Sequence, residues 1–76
     1  MTQHFKLHPE SAGVYLVLTD ANLHVGNLKL IGGIWKFKAI GYTASGQLIP
    51  GGGPLTCRHN TVFKTLNVEE INRILY

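Results

Sequence analysis

The sequence has 76 residues, enough for one domain and too few for two. Charged residues make up 14% of it, apolar residues 45%, and the net charge is +3, where an ordinary soluble domain carries roughly 25% charged residues. That mild basic excess is not a basic tail; it permits nucleic acid, an acidic protein or a membrane surface as partner and selects none, while the single cysteine, Cys57, excludes an internal disulfide.

A domain of this size buries only about 60% of the surface its unfolded chain exposes. With so few charges to cover it, an exposed apolar patch sheltered by a second chain is expected, and a homodimer is the expected aid to stability. No apolar run approaches the length of a membrane span, and the first residues lack the charged-then-apolar order of a signal peptide. One free cysteine makes a reducing cytoplasm the expected compartment.

Taken in chain order, residues 1–12 are polar and end in the turn-like Pro9-Glu10-Ser11-Ala12-Gly13. They are expected as an N-terminal extension ahead of a sheet over 13–64. Val14 to Thr19 is rich in β-branched and aromatic residues, which predicts a strand, and Asp20-Ala21-Asn22 predicts a turn. A three-residue loop there pairs Thr19 with Leu23, whereas a two-residue loop at Ala21-Asn22 reverses the faces. Asn22 tolerates the left-handed conformation the longer loop needs, which favours it.

Leu23 to Ile31 and Ile34 to Tyr42 read as two further strands around Gly32-Gly33, a pair suited to a two-residue hairpin turn with positive φ. Counting outward sets Ile31 against Ile34, Leu30 against Trp35, Lys29 against Lys36, Leu28 against Phe37 and Asn27 against Lys38. Thr43-Ala44-Ser45-Gly46 is the next turn and Gln47 to Pro50 a short strand, with Tyr42 facing Gln47 and Ile40 facing Ile49. Gly51-Gly52-Gly53-Pro54 is a loop. Leu55 to Arg58 and Thr61 to Lys64 form a weaker hairpin around His59-Asn60. Asn67 is a good N-cap, and Glu70 three residues on completes a capping box, with Leu66 and Ile71 as its hydrophobic staple. The helix is predicted within 67–75, with Val68, Ile71, Ile74 and Leu75 facing inward. The expected fold is α+β: one domain with an antiparallel meander of four to five strands, free to curl into a small open barrel, and one short C-terminal helix packed on it.

Alternation along the strands then sorts the side chains. One face holds Gly26, Leu28, Leu30, Trp35, Phe37 and Ala39, a coherent core that the three-residue loop extends with Val14, Leu16 and Leu18. The other gathers Tyr15, Val17, Val25, Lys29, Ile34, Lys36, Lys38, Ile40, Tyr42 and Ile49, which is too apolar for a solvated face and too cationic for a core. Lys29 and Lys36 directly opposite each other are destabilising, and neither strand carries an acid to relieve them. Lysines whose stems lie on neighbouring isoleucines explain part of this pattern. The rest points to a partner-binding surface: an aliphatic and tyrosine centre, with lysines steering towards an acidic protein. Single-stranded nucleic acid is the alternative, with lysines on phosphates and Tyr15 or Tyr42 stacking on bases.

Catalytic, cofactor and metal motifs are not expected. Gly51-Gly52-Gly53-Pro54 lacks the Gly-Lys-Ser/Thr of a phosphate loop. Cys57 and His59 share a face if they lie on a strand, but no nearby acid orients the histidine, and a lone cysteine is commonly a small buried hydrophobe. His4, His8, His24 and His59 have no metal-ligand spacing. The expected function is a non-enzymatic, homo-oligomeric binding protein.

Overall fold

The computed structural model describes residues 4–75. It contains β1 (Phe5–Ser11), β2 (Val14–Thr19), β3 (His24–Ile31), β4 (Ile34–Tyr42), β5 (Leu48–Pro50), a 3-10 turn at Thr56–Arg58, β6 (Val62–Phe63) and α1 (Val68–Leu75). The sheet is antiparallel in the order β1-β2-β3-β4-β5, with β6 also paired to β4. It remains open, with β1 at one edge and β5 and β6 dividing the far side of β4 between them. The α+β class is as expected.

The glycine doublet sets the centre of the fold. Gly32 and Gly33 have φ of 58° and 80°, and the β3–β4 register is the one obtained by counting outward from them. Leu28 lies against Phe37 and Lys29 against Lys36. Phe37, Leu28 and Val17 are fully buried on one face, with Phe5 and Phe63 beside them, and Ile71 and Leu75 of α1 cover that side. Trp35 packs at the margin of this core, edge-on to Tyr15 at 5.6 Å between ring centres.

Two strands lie outside the expected meander. Residues 5–11, read as part of an extension, form edge strand β1, where Phe5 and Leu7 point into the core and Lys6 and His8 point away. Pro9 is tolerated because it has the same parity as Phe5, whose backbone groups point outward, so its missing N–H removes no ladder bond. The second is β6, which pairs with β4 instead of forming a hairpin with 55–58, a segment that coils into the 3-10 turn.

At the helix, Asn67 Oδ1 accepts the Glu70 amide at 3.0 Å and the Asn67 carbonyl accepts the Ile71 amide at 2.9 Å. Ile71 lies in the core and Leu66 packs against it. Val68 does not face inward as expected; it is 51% exposed, and the buried stripe is Ile71 and Leu75 with Ile74 beside them. Asn67→Ala should cost about 1 kcal/mol, read as a lower urea midpoint with an unchanged slope. No change would mean that docking alone holds the helix.

Asn72 on α1 fixes the helix to the sheet. Its Oδ1 accepts the Phe5 amide, and its Nδ2 donates to the Phe5 carbonyl at 3.2 Å. One side-chain amide thus occupies both outward-pointing backbone groups of an edge residue, in the manner of a neighbouring strand.

Candidate binding face

The sheet face away from α1 carries Lys29, Lys36 and Lys38, as the β3–β4 register requires. Lys29 is exposed, and Lys36 and Lys38 are half-buried. Lys38 Nζ donates to the neutral Asn60 Oδ1 at 2.7 Å. Ile34 and Tyr42 are also on this face, 43% and 46% exposed. The Tyr42 hydroxyl lies 3.2 Å from His24 Nδ1, and His24 Nε2 lies 2.8 Å from Asn27 Oδ1. The Asn27 oxygen only accepts, so Nε2 carries the ring proton and Nδ1 accepts from the tyrosine.

Tyr15 and Val17 are not on this face. The turn before β3 has the predicted form: the Thr19 amide bonds to the Leu23 carbonyl at 2.9 Å, and Asn22 is left-handed at φ 64°. Beyond it the register shifts, because Val17 opposes Gly26 while Leu18 opposes His24, leaving Val25 as an extra residue. This bulge reverses the phase of everything before it. Tyr15 then opposes Leu28 on the core side, Val17 is fully buried, and Val25 is taken into the core at 1% exposure. Val14 and Leu16 take the places beside Lys29 and Asn27. Gly26 was the available signal, since an isolated glycine in a strand marks a bulge or a close approach. A Cβ there would lie 2.4 Å from the Phe37 ring.

Ile49 is the other correction. Thr43 donates its amide to the Gln47 carbonyl at 2.8 Å, so the loop before β5 is Ala44-Ser45-Gly46, one residue shorter than the expected turn. Tyr42 therefore opposes Leu48, Ile40 opposes Pro50, and Ile49 opposes Gly41. Leu48 and Pro50 join the lysine face, and Ile49 turns to the other side. Ile40 keeps its place by register but is only 4% exposed, so it underlies the face and does not present itself to a partner. Val62 of β6, opposite Lys36, and Ile31 complete the surface, each about half exposed.

Described residues line two depressions on this face. One, of about 210 Å³, is lined by Ile31, Ile34, Lys36 and Val62. The other, of about 370 Å³, lies where Lys29, Lys38 and Asn27 meet the wall made by Leu48, Pro50 and His59, and among the described residues no acidic side chain lines it. His59 reaches it by completing the sheet: its Nδ1 accepts the Ala39 amide at 3.0 Å, between the Gly51 amide on the Ala39 carbonyl at 2.7 Å and the Asn60 amide on the Phe37 carbonyl at 2.7 Å. Cys57 is not buried as expected but exposed in the 3-10 turn, and Cys57 and His59 do not share a strand. Among the described residues, no three His, Cys, Asp or Glu side chains gather at metal-binding distance, and no helix is long and apolar enough to cross a membrane.

No protein-family model, curated protein or solved structure matches this chain.

Proposed function

We propose that the chain is a non-catalytic binding module that receives an acidic, aliphatic segment of another protein on its uncovered sheet face. The carrying observation is the placement of Lys29, Lys36 and Lys38 among the exposed side chains of Ile31, Ile34, Leu48 and Val62, on the side that α1 leaves bare. Aliphatic surface supplies the favourable area, and the lysines select and steer a partner of opposite charge. The broad side of the molecule measures 35 by 31 Å, which suits an interface of about 800 Å² per partner.

Nucleic acid is the weaker reading on this geometry. Stacking needs open aromatic faces. Tyr15 and Trp35 pack against each other at the core, and among the described Phe, Tyr and Trp residues only Tyr42 lies on the lysine face. Self-association belongs to a different surface, because two copies meeting through this one would oppose their lysines.

The test is the double substitution Ile34→Asp with Lys36→Glu, both at the apolar depression. Proteins captured from cell extract by the wild type should fall at least tenfold with the variant, while its circular dichroism stays native. Capture that survives the substitutions places the interface elsewhere. Capture abolished by nuclease favours the nucleic-acid reading.

A further inference from the structure

The larger depression has a hydrogen-bonding character that follows from bonds already made. Asn27 Oδ1 is taken by His24, so Asn27 offers the groove its Nδ2 hydrogens. The His59 Nδ1 accepts the Ala39 amide, so the ring proton sits on Nε2. Lys38 places one proton on Asn60 and keeps two, and Lys29 makes no side-chain hydrogen bond among the described residues. Every uncommitted polar side-chain atom of Asn27, Lys29, Lys38 and His59 is thus a donor. Leu48 and Pro50 form the opposing wall, and among the described residues no Phe, Tyr or Trp lines the space.

We propose that this groove is a carboxylate site, filled by a glutamate side chain of the partner segment, whose methylenes lie on Leu48 and Pro50 and whose oxygens take the lysine and histidine protons. This rests on the reading of the face as a protein-docking surface and specifies its ligand. A carboxylate only accepts hydrogen bonds, so it matches a set of donors without leaving a group unpaired. A nucleotide finds no Phe, Tyr or Trp to stack on among the described lining residues, and an amide side chain offers these donors one acceptor oxygen where a carboxylate offers two, both charged.

The apolar depression adds a spacing. Ile34 marks it and Lys38 marks the groove, four residues along β4, which is about 13 Å of strand. An extended segment running along β4 spans that distance with a glutamate and an aliphatic residue four positions apart, both on one side of the chain.

The experiment titrates isotope-labelled full-length protein with a blocked pentapeptide carrying glutamate first and leucine last. Comparison titrations use the same peptide with glutamine and inorganic phosphate. The glutamate peptide should bind with a Kd of the order of millimolar and move the resonances of Lys29, Lys38, Gly51 and His59 together with those of Ile34 and Val62. The glutamine peptide should bind at least tenfold more weakly, and Lys38→Met, which keeps the aliphatic stem, should erase the difference. Equal binding of the two peptides, perturbation confined to another surface, or phosphate occupying the groove where the glutamate peptide does not, overturns the carboxylate assignment. Captured proteins lost with Ile34→Asp and Lys36→Glu but indifferent to Lys29→Met and Lys38→Met overturn the groove and leave the face standing. A groove filled by the peptide in a protein whose capture ignores Ile34→Asp and Lys36→Glu supports the site and removes the face from the function.

Discussion

Gly53→Ala should lower stability by about 2–5 kcal/mol and open the donor-lined groove. Two effects add. Gly53 has φ of +84°, and a Cβ on it would lie 2.1 Å from the Ile40 carbonyl oxygen and 2.9 Å from Gly41 Cα. The left-handed conformation costs an L-residue about 1–2 kcal/mol, and overpacking against groups that cannot rotate away costs about 1–3 kcal/mol. The approach is mutual, since a Cβ on Gly41 would lie 2.5 Å from the Gly53 amide nitrogen. This backbone-on-backbone crossing holds the 51–58 segment to β4 next to the wall of Leu48 and Pro50, so pushing it off should draw His59, which follows that segment, away from the Ala39 amide and out of the groove. Gly46→Ala is the control: φ there is +87°, but nothing stands within 4 Å of the added carbon. Urea melts of the two variants separate the conformational effect from the clash. A Gly53 variant no less stable than the Gly46 variant would show that the segment is not packed on β4.

Phe37→Ala should come close to unfolding the domain. The ring is fully buried, lies over Gly26 and sits opposite Leu28. Its truncation leaves a cavity worth about 3–5 kcal/mol. At roughly 0.05–0.15 kcal/mol per residue, a chain of 76 residues has about 4–11 kcal/mol in all. The variant should show a much lower melting temperature, or no cooperative transition, by circular dichroism. A transition lowered by only a few degrees would mean that the core collapses around the gap.

The central hairpin and the helix were legible because their determinants are local. Gly32-Gly33 specifies a two-residue turn, and everything in β3–β4 follows from it by parity. Asn67 and Glu70 mark the helix start with the same economy. Parity is also why the rest was not legible. It propagates a register faithfully until one residue is inserted, and then it propagates the error. The extra residue at Val25 moved Tyr15 and Val17 to the core, and a loop one residue shorter moved Ile49 to the far side. The lysine cluster survived both, because Lys29, Lys36 and Lys38 all lie within reach of the glycine doublet, on its side of each irregularity. Strand β1 had no local signal. Its sequence includes Pro9 and Glu10 and suits only an edge, and part of its support comes from a side chain 67 positions away. Strand β6 is two residues long and pairs with a strand laid down much earlier.

The Asn72 fork on Phe5 also bears on the order of assembly. The hairpins close over short stretches of chain and form early, whereas a clasp spanning nearly the whole polypeptide forms last. Until it does, the first strand offers its bare outer margin to any other extended chain nearby. The clasp closes the outward backbone groups of Phe5, and loss of the Asn72 side chain should be felt first as clumping during refolding at high concentration.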